Sequence, residues 1–403
     1  MNATSDLRTP RSGSPRIFMV AGEHSGDQLG AGLMRALKTL APQFTFEGVG
    51  GPAMESAGLK SLFPLADIAV MGIVPVIKNL PTLLTRIRQT TEAVVTARPD
   101  ILVIIDSPDF THRVAARARK AIPHLRVVDY VSPTVWAWRP GRAKKMSAYV
   151  DHLLALLPFE PAAHQRLGGP ACTYVGHPLT ERLTELRPNS EEALRRNGKP
   201  PVILVLPGSR RSEIDRLLDD FGAALARVSE KIGEIEPVLP AVSHLAKDIT
   251  ERTRNWTVRP RIVEGETEKY RAFRNARAAL AASGTVTLEL ALAQIPMAVA
   301  YKWSRIEGLA RPFVNVPSIV LPNLVMGRNA IPEFLQDECT PEKLSAALCA
   351  LIADSPERAA QMQAFADVDA RMRLPEGETP SGRSAQIVLD TVLKAPAITS
   401  RVE

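Results

Sequence analysis

The segment that most constrains the fold is PVILVLPGSRRSEI, residues 201–214. An apolar run at 202–206 lies between two prolines, and its length and composition are typical of a buried parallel strand. Gly208 and Ser209 then predict a tight turn, and a helix is expected to begin near Glu213. The pattern therefore predicts a strand, a glycine turn and a helix.

The turn of this unit is a candidate anion site. Backbone N–H groups at the start of a helix favour anions, and phosphate is the usual guest. Arg210 and Arg211 add two guanidinium groups, whose planar donors suit a phosphate. An ordinary strand-to-helix turn with exposed arginines is the alternative, and the segment alone leaves both open.

The same unit occurs about half a chain earlier. A strand at 16–21 runs into the turn GEHSGD and then into a helical pattern of leucines. The turn is neither a Walker A loop nor a GxGxxG fingerprint. Its polar side chains suit sugar hydroxyls or a phosphate, whereas a tight turn with an aspartate helix cap is the alternative. The candidate ligand residues are Glu23, Ser25, Gly26 and Asp27.

Two carboxylates follow the predicted strand at 101–105. Ligands of open α/β sheets gather outside the carboxyl ends of the strands. Asp106 or Asp109 is therefore a candidate general base, and helix capping by Asp109 is the alternative.

A tryptophan-rich and basic segment follows the next predicted strand, at 126–131. Residues 136–145 contain two tryptophans and four basic residues. This combination at a strand end is hard to explain by packing alone, so Trp136 and Arg139 are predicted to bind a ligand.

Residues 68–89 are unusually apolar for a connecting segment, yet they carry basic side chains. From Pro81 onward, apolar residues recur with helical spacing, which is typical of a core-facing stripe. The alternative is a membrane-facing patch whose basic residues contact lipid phosphates. The predicted membrane contacts are Met71, Ile73, Val76, Ile77, Lys78, Leu80, Leu83, Leu84, Arg86 and Arg88.

Composition narrows the class of protein. The 403 residues are 45% hydrophobic and 23% charged, as in ordinary globular chains. A net charge of +7 favours anionic partners, but no basic tract or RNA-binding signature indicates nucleic acid. Three widely spaced cysteines argue against disulfides and zinc and favour a reducing cytosol. No apolar run approaches the ~18 residues of a membrane span.

Two halves of alternating strands and helices predict an α/β protein with two Rossmann-like domains facing a central cleft. We predict a disordered leader at 1–15, which has no signal-peptide core, and domains at 16–179 and 180–379. A C-terminal helix and tail at 380–403 are expected to pack back on the first domain. In the second half, a strand at 278–282 precedes the turn Ser283-Gly284-Thr285.

Taken together, these turns resemble those of the lipid-A-disaccharide synthases, which are inverting glycosyltransferases of the GT-B fold. The resemblance extends from Arg16 to about Glu338, and the order of its motifs makes it specific. The motifs are AGEHSGD at 21–27, VMGIV at 70–74, DSPDF at 106–110, YVSPTVWAWR at 130–139, VGHPL at 175–179, LPGSR at 206–210, SGTVTLE at 283–289 and LPNL at 321–324.

The resemblance implies a reaction. The enzyme would condense UDP-2,3-diacylglucosamine with 2,3-diacylglucosamine 1-phosphate to a β-1,6-linked disaccharide and UDP. It would act in the cytoplasm of a Gram-negative bacterium, peripherally at the inner face of the inner membrane. The first domain would bind the acceptor and the membrane, and the second would bind the UDP-sugar. No cofactor or metal is expected, and a homodimer is left open.

The resemblance also implies residue roles. Arg210 would neutralise the diphosphate of the leaving UDP. Glu289 would bind the ribose hydroxyls, and Asp106 would be the base for the acceptor 6-hydroxyl, although Asp109 remains open for that role. The other substrate-binding positions implied by the motifs are His177, Gly208, Ser209, Ser283, Gly284, Thr285 and Asn323.

The chain departs from the family pattern at two positions. Pro75 follows MGIV where the family commonly has an acidic residue, and His24 replaces the expected threonine or proline. The resemblance therefore implies no role for either residue. The alternative function is a UDP-sugar epimerase of the same architecture, which would need neither the apolar-basic segment nor Trp136.

Overall fold

The computed structural model describes residues 15–69, 79–303 and 316–393. Its strands are β1 Arg16–Ala21, β2 Thr45–Val49, β3 Ile101–Ile105, β4 Arg126–Tyr130, β5 His152–Ala155, β6 Ala171–Tyr174, β7 Val202–Leu206, β8 Glu236–Ala241, β9 Arg261–Glu264, β10 Ala278–Ala282, β11 Met297–Tyr301 and β12 Glu333–Leu335. Its α-helices are α1 His24–Leu40, α2 Pro52–Ser56, α3 Leu80–Ala97, α4 Pro108–Ala121, α5 Gly141–Met146, α6 Glu160–Arg166, α7 Leu183–Leu186, α8 Ser190–Asn197, α9 Arg211–Ile232, α10 Ser243–Thr253, α11 Glu266–Asn275, α12 Thr285–Leu292, α13 Leu321–Met326, α14 Pro341–Ile352, α15 Pro356–Met372 and α16 Pro380–Leu393.

The described chain forms two compact units. The first contains the described residues of Met1–Leu156, Glu160–Gly176 and Leu374–Glu403, and the second those of Leu157–Phe159 and His177–Arg373. Each unit has one six-stranded parallel sheet with helices packed against it. The predicted fold class, α/β with two Rossmann-like parallel sheets, is confirmed.

The first sheet has the strand order β2-β1-β3-β4-β5-β6. All five side chains of β3 are buried, as expected of an apolar strand covered on both faces. Ala21 pairs with Ile105, and Ile105 pairs with Tyr130, so β1, β3 and β4 end at one edge of the sheet. The turns that follow these three strands therefore lie together.

The second sheet has the order β12-β11-β10-β7-β8-β9. Leu206 pairs with Ala281, and Ala282 pairs with Ala300, so the turns after β7 and β10 also share one edge. The strand predicted at 202–206 has these bounds in the structure, and the helix expected to begin near Glu213 begins two residues earlier, at Arg211.

The C-terminal helix belongs to the first unit. Helix α16 packs against α1, and its Ala385 and Val388 are buried in the same apolar cluster as Leu33 and Leu37 of α1. Residues 394–403, most of the leader, and the segment 70–78 with its predicted contacts lie outside the described residues. Those contacts are Met71, Ile73, Val76, Ile77 and Lys78, and Pro75 lies beside them.

Candidate active site

Reciprocal hydrogen bonds join the turns after β1 and β3. The Ser25 hydroxyl donates to Asp106 Oδ2 at 3.0 Å, and the Ser107 hydroxyl donates to Glu23 Oε1 at 2.9 Å. The Ser107 backbone N–H donates to Asp106 Oδ1 at 2.8 Å. Both oxygens of the Asp106 carboxylate are therefore held in place, and each keeps a lone pair for a further donor.

The backbone of this turn is strained. Asp106 and Ser107 have φ values of 56° and 45°, in the left-handed region that non-glycine residues rarely adopt. Gly22 permits the close approach of the two turns, because a Cβ there would lie 2.2 Å from Ser107 Cβ. Such strain persists only where surrounding contacts enforce it, and it is concentrated at functional sites.

Asp109 differs from Asp106 in its surroundings. It lies in the first turn of α4, where its side chain is 78% exposed and pairs with Arg142 at 2.8 Å. The residue before α4 is Ser107, and no side-chain cap closes this helix, so the predicted capping by Asp109 is wrong. Its charge still interacts favourably with the helix start.

Asp27 lies inside the first unit. Its fully buried carboxylate accepts backbone N–H groups from Gly51 at 2.8 Å, Ala53 at 3.0 Å and Met54 at 2.9 Å. It therefore caps the neighbouring helix α2. Gly26 is also buried, and a Cβ at this position would lie 3.2 Å from the Ile105 carbonyl oxygen. The structure shows a packing role for both residues, and their ligand role stays a prediction.

Residues 132–139, which we name the tryptophan segment, follow β4 at the same edge as Asp106. The Asp106 N–H donates to the Tyr130 carbonyl at 3.0 Å. Trp136 donates its indole N–H to Glu160 Oε1 at 3.2 Å, and the Arg139 guanidinium lies 5.3 Å from the Trp138 ring centre. The structure thus brings Glu23, Ser25, Asp106 and the start of this segment to one sheet edge.

A buried charge cluster lies beside that edge, and the sequence analysis missed it. Asp129 of β4 is fully buried, with His112 Nε2 3.2 Å from its carboxylate. His112 Nδ1 is 3.1 Å from the Tyr149 hydroxyl. Burial raises the pKa of Asp129, His112 lowers it, and the charge of Asp106 raises it again. No local sequence pattern predicts this contact, because His112 on the helix and Asp129 on the strand are 17 positions apart.

His177 is partly buried at the start of the second unit. Its Nδ1 accepts the Leu179 N–H at 3.2 Å and caps the 3₁₀ turn Pro178–Arg182. Burial lowers its pKa to about 4, so the ring is neutral near pH 7. Its observed role is local and structural.

The turn after β7 is closed by a carboxylate from its own helix. Glu213 Oε2 accepts the N–H groups of Ser209 at 3.1 Å and Arg210 at 3.3 Å. Glu213 Oε1 also pairs with the Arg210 guanidinium at 3.2 Å. The prediction that these N–H groups are free is therefore wrong, because the Glu213 carboxylate accepts both of them. A Cβ at Gly208 would lie 2.4 Å from Glu213 Oε2, so the cap needs glycine there.

In the turn after β10, the Ser283 hydroxyl is engaged within the protein, whereas the space beside Gly284 is empty. Ser283 donates its hydroxyl to the Ile319 carbonyl at 2.7 Å, and a Cβ at Gly284 would meet no atom within 4 Å. Thr285 begins α12 and is exposed. Gly284 has a φ of 150°, which favours glycine at this helix start.

Glu289 has a cationic partner that the sequence analysis missed. Lys269 Nζ lies 2.5 Å from Glu289 Oε2 and also within 5.4 Å of the ring centres of Tyr270 and Phe273. Burial and the Glu289 charge raise the pKa of Tyr270. Lys269 is 20 residues before Glu289, and no spacing in the sequence predicts the pair.

Asn323 has all its amide groups engaged. Its Nδ2 donates to the Ile331 carbonyl and to Glu333 Oε1, each at 3.0 Å. Its Oδ1 accepts the N–H groups of Ala330 and Ile331, each at 3.0 Å. The side chain is buried and organises the loop before β12, and its ligand role stays a prediction.

Comparison with known proteins decides the family. The model of the lipid-A-disaccharide synthetase family matches residues 17–385. The chain belongs to this family. The lipid-A-disaccharide synthase of Rhodopseudomonas palustris strain HaA2 is 54% identical over 381 residues, which are 94% of this chain and 97% of that protein. The Rhodospirillum centenum synthase is 44% identical over 384 residues, 94% and 95% of the two chains. The predicted resemblance is confirmed.

Solved structures give the fold. A kitacinnamycin glycotransferase has a TM-score of 0.60 at 15% identity, covering 95% of this chain and all of that one. The UDP-GlcNAc 2-epimerase of Neisseria meningitidis has a TM-score of 0.60 at 12% identity, covering 94% and 100%. Acinetobacter baumannii MurG has a TM-score of 0.53 at 14% identity, covering 94% of this chain and 100% of that one. At these identities the likeness shows the GT-B fold class alone, so the epimerases carry no argument about activity.

In this synthase-family chain, the predicted membrane stripe divides into two faces. Ile87 and Val94 of α3 are buried and Leu83 is partly buried against them, so the core interpretation is correct for that face. Leu80 and Leu84 are each 44% exposed.

The two described basic residues of the stripe also differ. Arg88 is 80% exposed and pairs with Glu92 at 3.1 Å. Arg86 is held internally, paired with Asp67 at 2.5 Å and stacked 4.5 Å from the Phe63 ring centre. These contacts hold Arg86 within the fold, and its membrane contact stays a prediction.

The described residues contain neither a metal-binding cluster nor a helix able to span a membrane. Within 15–69, 79–303 and 316–393, no three His, Cys, Asp or Glu side chains are grouped so as to hold a metal ion. No helix in the same ranges has both the length and the hydropathy needed to cross a membrane.

Proposed function

We propose that this chain is the inverting glycosyltransferase that joins UDP-2,3-diacylglucosamine to 2,3-diacylglucosamine 1-phosphate, forming the β-1,6-linked disaccharide 1-phosphate and UDP. The family match over residues 17–385 is the observation that carries the proposal. The arrangement of Ser25 and Asp106 supports it, because it supplies a fixed carboxylate at a sheet edge.

Asp106 is the proposed general base. Hydrogen bonds from the Ser25 hydroxyl and from the Ser107 N–H hold its two oxygens and fix the direction of the carboxylate. Its remaining lone pairs accept the proton of the acceptor 6-hydroxyl as that oxygen attacks the anomeric carbon. The attacking oxygen forms the new bond on the face opposite the departing UDP, so the configuration inverts.

Arg210 is the proposed partner of the leaving diphosphate. Its side chain is 64% exposed and contacts Glu213, which also occupies the N–H groups of Ser209 and Arg210. A diphosphate bound there takes the place of the Glu213 carboxylate at these donors. The donors lie where negative charge develops on the leaving oxygen.

Glu289 is the proposed ribose ligand. Its Oε2 is paired with Lys269, and its second carboxylate oxygen can accept hydroxyl groups. The reaction is proposed to need no metal ion, because Arg210 and the helix starts supply the positive potential. Turnover after treatment with EDTA should equal that of untreated protein.

Peripheral membrane association is proposed through α3. Leu80 and Leu84 expose apolar surface beside Arg88, a pattern that suits an anionic bilayer. The double substitution Leu80→Ser, Leu84→Ser should reduce sedimentation with anionic liposomes. Leu194→Ser is the matched control, because Leu194 is 77% exposed on α8 of the second unit.

A release assay tests the reaction. Purified protein is mixed with the UDP-sugar lipid, with and without the acceptor, and UDP and disaccharide are measured. Acceptor-dependent release of UDP with formation of disaccharide supports the proposal. Epimerised sugar without acceptor would support the alternative activity.

Substitution of the base sharpens that assay. Asp106→Asn should lower turnover by about 10²–10⁴-fold, the usual contribution of a general base, with UDP affinity unchanged. Asp109→Asn should retain most activity, because Asp109 is solvent-exposed and paired with Arg142. The reverse result would transfer the role of base to Asp109.

A further inference from the structure

Helix α6 holds the tryptophan segment through two buried side chains. Glu160 and His164 are one turn apart on the same face of α6, and both are buried. Glu160 Oε1 accepts the Trp136 indole N–H at 3.2 Å. His164 Nε2 lies 2.8 Å from Ser132 Oγ. Two contacts four residues apart on the helix thus match two positions four residues apart on the segment.

The hydrogen-bond network assigns the proton of His164. Its Nδ1 is buried and has no hydrogen-bond partner among the described residues. A Cβ at Gly169 would lie 2.5 Å from this atom, so Gly169 lets the ring pack closely. Since buried N–H groups are rarely left without an acceptor, the proton belongs on Nε2.

The direction of the next hydrogen bond follows. His164 Nε2–H donates to Ser132 Oγ, and the Ser132 hydroxyl donates to the Pro133 carbonyl at 2.9 Å. Burial lowers the pKa of His164 to about 4, so the ring stays neutral near pH 7. This arrangement fixes the backbone turn and leaves His164 unable to take a proton from Ser132.

The start of the segment is strained and needs such support. Val131 has a φ of 90°, which is unfavourable for a β-branched residue. A conformation of this kind persists only where neighbouring contacts enforce it. Val135 is buried in the core, and the contacts from Glu160 and His164 fix the segment on either side of it.

We propose that Glu160 and His164 are positioning residues that hold Trp136 and its neighbours in the conformation that binds the acceptor sugar. The inference rests on the proposed function, because it assigns the tryptophan segment to the acceptor. Neither residue touches the reacting atoms. Their loss should weaken acceptor binding and leave the UDP-binding turns of the second unit unchanged.

Steady-state kinetics provide the first test. Glu160→Ala and His164→Leu should each raise the KM for the acceptor about tenfold, the effect of losing a buried hydrogen bond, with the KM for the UDP-sugar unchanged. Glu160→Gln keeps a side-chain oxygen for Trp136 and should restore the KM to within about twofold.

A matched control removes an imidazole–hydroxyl contact of the same kind from another part of the first unit. His152 Nε2 lies 2.9 Å from Thr173 Oγ1, an imidazole–hydroxyl pair between β5 and β6. His152→Leu should lower the melting temperature without raising the acceptor KM. Equal increases in both KM values for Glu160→Ala and His164→Leu would indicate general loss of structure and overturn the proposal.

A spectroscopic readout separates this proposal from the proposed function. In protein labelled with ¹⁵N-tryptophan, Trp136→Phe identifies the Trp136 indole resonance. Glu160→Ala should move that resonance upfield, and the other tryptophan resonances should stay in place. An unmoved resonance together with an unchanged acceptor KM would overturn the proposal. If the wild-type protein transfers no sugar, the proposed function fails, and the resonance still decides whether α6 holds Trp136.

Discussion

The buried carboxylate of Asp27 provides a direct test of structural against ligand-binding roles. Oδ1 accepts the N–H groups of Gly51 and Met54, and Oδ2 accepts that of Ala53, all within 2.8–3.0 Å. Asp27→Ala would leave three N–H groups at the start of α2 without their acceptor. Each costs about 1–3 kcal/mol if it stays dry, and partial hydration lowers the sum, so we expect a loss of about 3–5 kcal/mol.

Asp27→Asn should have a smaller effect. An asparagine oxygen at the Oδ1 position keeps the bonds to Gly51 and Met54, but its amide nitrogen then faces the Ala53 N–H. One lost bond and one donor–donor contact should cost about 1–3 kcal/mol. Gly51→Ala should disrupt the same contact, because the added Cβ would lie 2.7 Å from Asp27 Oδ2.

Thermal unfolding measures these losses. For a unit of this size, 1 kcal/mol shifts the melting temperature by about 2–4 °C, so Asp27→Ala should lower it by about 6–20 °C. Glu55→Gln is the control, because this exposed carboxylate lies on the same helix and should change stability by less than about 0.5 kcal/mol. Wild-type stability of Asp27→Asn combined with a raised acceptor KM would refute the reasoning and restore the ligand role.

Three further predictions concern the second unit. His177 has a pKa of about 4 in the folded protein against about 6.5 in the unfolded chain, so the unfolding free energy should fall as the pH drops from 6.5 towards 4. The variant His177→Asn keeps a cap for the Leu179 N–H, and its unfolding free energy should vary less with pH. The buried side chain of Arg196 donates to four backbone carbonyls, so Arg196→Leu should cost about 3–5 kcal/mol in denaturant unfolding. Arg195→Leu breaks a partly exposed ion pair and should cost about 1 kcal/mol. Glu213→Ala should tighten UDP binding, measured by calorimetry, because the Glu213 carboxylate competes with phosphate for the same N–H groups. The same substitution should lower the unfolding free energy by about 0.5–2 kcal/mol. Weaker UDP binding would contradict this competition.

The sheets could be predicted because their signal is local. The segments 101–105, 202–206 and 278–282 are uninterrupted apolar runs bounded by turn-forming or polar residues, and a strand covered on both faces needs no other pattern. Each of the three has the bounds that the sequence predicted. The family could be identified because its motifs occur in order at the ends of these strands.

The roles of polar residues in the turns could not be predicted in the same way. A carboxylate after a glycine turn can face a ligand, a side chain or a backbone N–H group, and tertiary approach decides among them. Asp27 meets backbone groups 24 to 27 positions away, and Ser107 meets Glu23 84 positions away. Glu213 has partners only three and four residues away, yet the sequence carries no capping-box signature there, because Arg210 stands where that signature has serine or threonine.

The motif residues therefore separate into two physical groups. Asp27 and Asn323 are buried with every oxygen engaged by backbone N–H groups, so a ligand could reach them only by breaking the loops they organise. Ser25, Asp106 and Arg210 are accessible, and their contacts leave capacity for a further partner. Loss of activity on substitution is expected in both groups, for different reasons. Only the pairing of turnover with melting temperature separates them: the first group should lose both, and the second should lose turnover while the protein stays folded.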